Sequence, residues 1–569
     1  MIFIFRLRHR NGEVPETHND VYIVTHPPQR SNAQYFPLCF LLFTINGLTY
    51  AAKNTIIILV YDSYTYIYYY GEYMLNRRRS YGKIAWLLIA MLFLQSCSLI
   101  IINDPTADGN DPAATGDSFE TVQPADPTLG YVPPKVDSEK AHRAYAAAYL
   151  KSVADNGYDL NGATVFISAP YESVMGDDSQ PDVYSRAKYE RNKAVEEALG
   201  IRIATTLSDA GTLFDALQSS VKADEYFADL ILLQQKDIGT FAAANLLFNL
   251  RSAPFLDLSQ PYFDSASVGA ATAGHRTYAV AGPASFEETS LSAVYFNRSM
   301  MEWNGLPLPY ASVYNGTWTW DEFFRYCAAV SDINGSTDTR VYSYSTQYAA
   351  AYTPSNVFFS CGGTFVNSQA GSTPKIAFSK DNSDEAGVIT RLYTDLNRNR
   401  DTENGLNQFY TGQSMFLLDR LYLMSWIPNC EDDWGILPMP KLNEEQKEYV
   451  SLTDESALFF AMQKNTVSAE TASVVLSALN AASYGVLTDA YIDLALRDML
   501  RDNDSANMLE IIARSRTYDF ALAFGPANDS LVSATVGGMI DLADGSKFSS
   551  ICGRIGEADK QLASKYAAN

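Results

Sequence analysis

Between residues 135 and 285, short apolar runs alternate with stretches whose apolar positions recur at helical spacing. Ala163 to Ala169, Ile201 to Thr206 and Ala228 to Leu233 predict strands, with helices from Tyr184 to Leu199 and from Gly211 to Ala223 between them. A helix from about Ser138 to Asn156 precedes them, with Ser138 suited to the N-cap and Gly157 to the C-cap. The nearly unbroken apolar run ending at Leu233 predicts a strand covered on both faces, and the alternation predicts βαβ units in a parallel sheet. Farther on, Ala293 to Phe296 predicts a strand ending at Asn297, followed by a helix to Asn304 that Gly305, Pro307 and Pro309 stop. Thr319 or Trp320 then precedes a helix whose first turn carries Asp321 and Glu322, favourable at the positive end of the helix dipole. Trp318 and Trp320 read as core anchors. Ala469 to Ser483 and Asp489 to Arg501 predict closing helices.

Upstream of residue 135 the pattern changes. Residues 1–73 include a Tyr/Ile-rich run from Tyr61 to Tyr73 with no clean period, and they read as an extension outside the natural protein. The apolar stretch from Leu38 to Val60 is weakened as a membrane span by Lys53, Asn46, Gly47 and Asn54. Residues 74–96 follow a different logic: Arg77, Arg78, Arg79 and Lys83 precede an apolar run from Ile84 to Leu94 that is too short for a full span, with Ser96 before Cys97. This order resembles a bacterial lipoprotein signal, which makes Met74 the expected natural start and Cys97 the expected lipidated residue. Residues 97–134, rich in Asp, Pro, Gly and Thr, read as a flexible tether from a lipid anchor.

Composition narrows the classes. At 569 residues, 47% hydrophobic and 19% charged, the chain is globular and long enough for several domains. Residues 1–96 hold nine Lys/Arg and five Asp/Glu, leaving 33 against 60, a net charge of −27, for the remainder. A folded part so acidic argues against nucleic acid as a partner. The cysteines beyond Cys97 are Cys327, Cys361, Cys430 and Cys552; they allow three pairings or free buried thiols, and nothing in their spacing suggests zinc. No HExxH, Walker A, G-x-S-x-G or dinucleotide fingerprint occurs, and only His142 and His275 lie beyond Cys97, so histidine-based catalysis is disfavoured. Neighbouring acids such as Asp177 with Asp178, or Asp432 with Asp433, are weak candidates for a glycosidase pair because adjacent side chains point apart. No cofactor, metal or enzymatic activity is expected.

The stretch from Leu291 to Ala328 resembles the family 1 extracellular solute-binding proteins of ABC importers, mostly sugar receptors: a strand ending in Tyr295, Phe296 and Asn297, then Asn304 and Gly305, then Thr317 to Phe323. The same resemblance covers Tyr189 to Ile201, Leu256 to Asp264, the Gly-Gly turn in Ser360 to Phe365, Tyr484 to Phe524, and Phe409 to Lys441 (with Trp434 where Phe is expected), for which it implies a strand, loop and helix followed by a Pro-bounded strand. It implies an α/β, two-lobed periplasmic-binding-protein-like fold, each lobe a mainly parallel sheet flanked by helices. Residues 135–285 would be the first part of lobe 1, residues 286–450 the main part of lobe 2, and residues 451–569 the return crossing and C-terminal helices. Hinge crossovers are implied near Tyr278 to Val294 and Ser451 to Ser456.

Ligands of open parallel sheets sit beyond the C-terminal strand ends. A sugar site needs aromatic faces for the rings and acids, amides or guanidinium groups for the hydroxyls. Candidates on one lobe are Tyr171, Glu172, Gln234 and Gln235; on the other Tyr352, Asp419, Arg420 and Tyr422; near the return crossing Asp454 and Glu455. Tyr352 is chosen because related receptors supply a stacking aromatic shortly before the turn formed here by Gly362 and Gly363. The expected function is capture of a mono- or oligosaccharide and its delivery to an ABC-transporter permease, at the outer face of a bacterial cytoplasmic membrane. The alternative is a surface lipoprotein of the same fold in sensing or adhesion, with a glycoside hydrolase a remote third.

Overall fold

In the computed structural model, residues 1–118 and 119–569 form two separate units. Described are five strands within residues 2–70 and residues 138–566, apart from 157–159, 172–173, 177–181, 286–287, 337–340, 347–352, 395–399, 402–404 and 428–429. In the first unit, Ile2–Phe5, Val21–Val24 and Leu41–Phe43 form an antiparallel sheet, and Thr55–Tyr61 pairs with Tyr64–Tyr70 in a hairpin. Regular strands therefore run through part of the stretch expected to lack a period, as its β-branched and aromatic residues permit. Cys97, the signal-like segment and the tether lie outside the described residues.

The second unit begins with α1 (Ser138–Asp155), β1 (Thr164–Ala169), α2 (Val183–Leu199), β2 (Arg202–Leu207), α3 (Ala210–Ala223) and β3 (Leu230–Gln234), close to the bounds predicted from the pattern. The boundaries have local causes. Asp182 caps α2 by accepting the Ser185 N–H at 2.7 Å, and Gly200 ends it at φ 61°, where the absence of a Cβ removes the strain. β4 (Ser292–Asn297), α4 (Trp320–Ser336), β5 (Tyr342–Ser345), α5 (Thr353–Ser360), β6 (Arg400–Asp401), β7 (Ser414–Arg420) and β8 (Trp434–Leu437) follow. Thr319 caps α4, its Oγ1 accepting the Glu322 N–H at 3.3 Å. β9 (Ser451–Leu452), β10 (Leu458–Ala461), α6 (Ala469–Ser483), α7 (Val486–Asp498), α8 (Asn503–Arg514), β11 (Arg516–Thr517) and α9 (Phe520–Phe524) come next, and short helices complete the chain.

The two larger sheets, of four and five strands, are built on one plan. The first has the order β10-β3-β1-β2, with β1 parallel to β2 and β3 and with β10 antiparallel to β3. The second has the order β6-β5-β7-β4-β8, with β5 parallel to β6 and β7 and with β4 antiparallel to β7 and β8. In each, three parallel strands are joined by an antiparallel strand that arrives from the other lobe. The lobes are therefore α/β with mainly parallel cores, the second more mixed than expected because β4 and β8 form an antiparallel pair at its edge.

Among the described residues, strand pairing marks three crossings between the lobes. Val280 pairs with Phe460 of β10 in lobe 1, and by Ser292 the chain is in the lobe 2 sheet. The return passes through β9 to β10, with Leu291 bridged to Thr453 where the two crossings run side by side. The third was not foreseen: β11 pairs in parallel with β9, carrying the chain from α8, which packs on β8, to α9, which packs on lobe 1 helices.

Trp318, Trp320 and Trp434 lie in the lobe 2 core, fully buried, as their role as anchors requires. The indole N–H of Trp318 donates to the Pro438 carbonyl at 2.9 Å and that of Trp320 to Ser360 Oγ at 3.1 Å. Cys327, Cys361, Cys430 and Cys552 are all free thiols. Among the described residues, no single helix is long and apolar enough to cross a membrane; α6 is buried from Ala472 to Ser483 with small polar residues among its apolar ones.

Candidate functional site

The C-terminal ends of β1, β3 and β7 open onto one cleft of about 470 Å3 between the lobes. Lobe 1 contributes Tyr171, just past β1, and Gln234, the last residue of β3. Lobe 2 contributes Arg420, the last residue of β7, then Tyr422 and Trp426 from the 3-10 turn Leu421–Ser425 and its end. The crossings form the floor, with Thr289 and Ser290 from the first and Asp454 and Ser456 to Leu458 from the second.

The floor holds the lobe 2 wall in place. Leu421 N–H donates to the Leu291 carbonyl at 2.8 Å, the Tyr295 hydroxyl donates to the Arg420 carbonyl at 2.9 Å, and Asp454 N–H donates to the Ser290 carbonyl at 3.0 Å. The Arg420 guanidinium hydrogen-bonds through Nη1 to Asp454 Oδ2 and lies 4.6 Å from the Tyr422 ring centre. Asp454 Oδ1 meanwhile accepts the Ser456 N–H at 2.8 Å and hydroxyl at 2.5 Å. Burial alone would lower the Arg420 pKa, but Asp454, by charge and hydrogen bond, and Asp419 lift it above the ordinary value. The guanidinium is therefore a fixed cation already matched to a carboxylate. Tyr422 and Trp426 meet edge to face, ring centres 5.8 Å apart, and Trp426 remains 56% exposed.

Of the expected residues, Tyr171, Gln234, Arg420, Tyr422 and Asp454 line this cleft; Gln235, Asp419 and Glu455 do not. Each of the three that turn away is the immediate neighbour of one that faces in: Asp419 by the alternation of side chains along β7, Gln235 because it opens the 3-10 turn Gln235–Asp237, and Glu455 because it lies in a turn. Gln235 is buried, its N–H donating to the Ala457 carbonyl at 2.8 Å. Asp419 is buried behind the wall, Oδ1 accepting the Arg420 N–H at 2.8 Å and standing 3.8 Å from Arg420 Nε, so it positions the arginine from behind. Glu455 is half-buried and its carbonyl accepts the Lys236 N–H at 3.1 Å. Glu172 and Tyr352 lie outside the described residues.

Pattern reading missed Trp426, Thr289, Ser290 and Ser456. A signal existed for Trp426, which follows Tyr422 by one turn just after a strand end. The small hydroxyl residues carry none, because only the side-by-side crossing of the chain makes them a floor. Among the described residues, no group of three or more His, Cys, Asp or Glu is placed to hold a metal. Exposed aromatic faces beside a matched ion pair, an amide and several hydroxyls suit a ligand with apolar faces and a rim of hydroxyl groups.

No protein-family model and no curated protein matches the sequence. Solved structures similar to the chain include the cyclic alpha-maltosyl-1,6-maltose binding protein from Arthrobacter globiformis, at 13% identity and a TM-score of 0.48 over 72% of this chain and 100% of that one. The GacH receptor of Streptomyces glaucescens, determined unliganded and with acarbose, matches at 12% identity and a TM-score of 0.45 over 71% of this chain and 98% of that one. The galacto-N-biose-/lacto-N-biose I-binding protein of the ABC transporter from Bifidobacterium longum matches at 12% identity and a TM-score of 0.46 over 72% and 98%.

Proposed function

We propose that the chain is an extracellular solute-binding protein that captures a carbohydrate between its lobes and hands it to an ABC-transporter permease. One observation carries the reading: a single cleft, reached by the C-terminal strand ends of both sheets, combines Tyr171, Tyr422 and Trp426 with Gln234, Arg420, Asp454 and floor hydroxyls. Aromatic faces bind the apolar side of a pyranose and the planar polar groups bind its hydroxyls, so affinity comes without bond making. The protein acts by binding without turnover. A ligand that touches both lobes favours the closed arrangement by the difference in its affinity for the two states, and the permease reads the closed shape. Lipidation at Cys97 would hold the receptor at the outer face of the cytoplasmic membrane.

A carbohydrate panel screened by thermal shift tests the function. A cognate sugar at about 100 times its dissociation constant stabilises by roughly 2.7 kcal/mol, is recovered intact and lowers the radius of gyration in small-angle scattering. Absence of any shift across the panel, or release of cleaved sugar at enzymatic rates, overturns the assignment. An intact peptide spanning Ser96 and Cys97 in most of the membrane-bound protein overturns the anchor alone.

A further inference from the structure

The segment that leads into β4 is held at both ends, and one of its anchors does not line the cleft. In the 3-10 turn Glu288–Ser290, Thr289 and Ser290 form part of the floor, whereas the Glu288 side chain is buried beside it. Its carboxylate reaches two helices of lobe 1: Oε2 accepts the Tyr184 hydroxyl of α2 and Oε1 the Thr488 hydroxyl of α7, each at 3.1 Å. At the other end, the Ser290 carbonyl accepts the Asp454 N–H at 3.0 Å and the Leu291 carbonyl the Leu421 N–H at 2.8 Å. Consecutive residues are thus tied to lobe 1, to the second crossing and to the lobe 2 wall. Burial raises the Glu288 pKa above the ordinary value, against its own N–H, the two hydroxyls and the charge of Arg516, which lower it. Arg516 is already matched, its Nε donating to Asp264 Oδ2 at 2.7 Å. Asp182 and Lys188 at the start of α2, Tyr491 of α7 and Tyr422 line the same small pocket as Glu288, the Tyr518 phenol feels its charge from beside β11, and Asp489 of α7 is engaged by His142.

We propose that Glu288 is a positioning residue for ligand capture: its grip on Tyr184 and Thr488 fixes Thr289 and Ser290 of the floor against lobe 1, so that sugar affinity depends on a side chain the sugar does not touch. The proposal rests on the carbohydrate reading of the cleft. An ionised carboxylate accepts both hydroxyls in charge-assisted bonds, roughly twice as strong as neutral ones. Protonation, or an amide in its place, leaves neutral bonds, one of them with its donor reversed. The grip is therefore strongest with Glu288 ionised and weakens as pH falls through its raised pKa. Floor hydroxyls bind a ligand only at hydrogen-bond distance and angle, so a looser floor loses affinity.

Two changes release the grip from opposite sides: Glu288→Gln, and Tyr184→Phe combined with Thr488→Val. Calorimetry with the tightest binder among linear gluco-, galacto- and fructo-saccharides of one to four units compares these proteins, the triple variant and the unmodified chain. At about pH 8 each change should weaken binding by about threefold or more, the scale of exchanging charge-assisted for neutral hydrogen bonds. The triple variant should lose little more than the larger of the two, because both changes break one grip. From about pH 8 to about pH 5 the affinity of the unmodified protein should fall, and that of the Gln variant should fall less. A smaller loss in the folded variants, a triple loss nearer the product of the two, or the same pH slope with Gln overturns the role of Glu288. If Glu288→Gln does not fold, the Phe/Val protein carries the test by the same threefold criterion. Failure of every sugar to bind the unmodified protein overturns instead the carbohydrate reading.

Discussion

Removing the Arg420 guanidinium tests whether the cleft wall is a pre-formed ion pair. The Arg420 side chain is 28% exposed, Asp454 10% and Asp419 not at all, so the cluster is neither a surface pair nor a fully buried one. Arg420→Met strips one donor from each carboxylate but leaves the others: Asp454 keeps the Ser456 N–H at 2.8 Å and hydroxyl at 2.5 Å, and Asp419 keeps the residue 420 backbone N–H at 2.8 Å. The loss should therefore fall between about 0–1 kcal/mol for a surface pair and roughly 3–5 kcal/mol for a buried charge left without its partner, near 2 kcal/mol. Asp454→Asn should cost about 1 kcal/mol, since Asp419 remains close to the guanidinium. Together the two should cost less than their sum, with a coupling of about 1 kcal/mol. Urea unfolding of the four proteins measures this, repeated at high salt, where a partly buried pair should retain most of its coupling. A coupling below about 0.3 kcal/mol, the scatter expected of independent sites, would refute the claim that Arg420 and Asp454 act as a unit.

Because Arg420 is already matched, a uronic acid must compete with Asp454 for it; the neutral counterpart of any sugar that binds should bind at least about tenfold more tightly, and comparable calorimetric affinities would contradict this. Tyr422→Ala and Trp426→Ala should each weaken sugar binding by about 1 kcal/mol, the scale of an aromatic contact, with the melting temperature nearly unchanged for Trp426. Burial lifts the Asp519 pKa to about 7, against three backbone N–H donors (Ala521, Val366 and Phe365) that lower it. The folded state then holds more protons than the unfolded one between 3.8 and about 7, so stability should fall as pH rises through that window and level off above it. Asp519→Asn should flatten that slope in melting temperature, and an unaltered slope counts against the assignment. The Cys327 and Cys361 thiols, pushed well up by burial, should resist a thiol reagent until the protein unfolds, and a disulfide-linked peptide joining any of Cys327, Cys361, Cys430 and Cys552 would overturn their free state.

Element positions were legible because their causes are local. Asp182 and Gly200 bracket α2, Thr319 starts α4, and the apolar run of β3 is continuous because helices cover both faces of its sheet. The candidate site was legible at the level of strand ends, where Tyr171, Gln234 and Arg420 stand, but not at the level of single side chains. Which of Asp419 and Arg420 faces the cleft depends on the phase of β7 relative to the opposite lobe, and which of Gln234 and Gln235 does so depends on where β3 gives way to the 3-10 turn Gln235–Asp237; composition encodes neither. The segment after β7 reads as a helix but forms only the 3-10 turn Leu421–Ser425, held against the first crossing by the bond from Leu421 N–H to the Leu291 carbonyl. The third crossing escaped notice because Arg516–Thr517 is a two-residue strand whose partner, Ser451–Leu452, is equally short.

That third crossing bears on how binding is coupled to shape. The pairings Leu291 to Thr453 and Ser451 to Arg516 set three segments side by side, and segments joined in this way can bend about a common line more readily than they can slide past one another. In the closure proposed above, residues on that line, Ser290 and Asp454 among them, would move least, so a ligand that touched only the floor would have nearly equal affinity for both arrangements and could shift nothing. Away from the line, Tyr171 and Gln234 belong to one lobe and Arg420, Tyr422 and Trp426 to the other. Contacts to these opposed walls are the ones made together only when the lobes approach. The floor would therefore supply affinity in either state, while the walls would supply the difference between states, and that difference is what the proposed delivery to a permease would require.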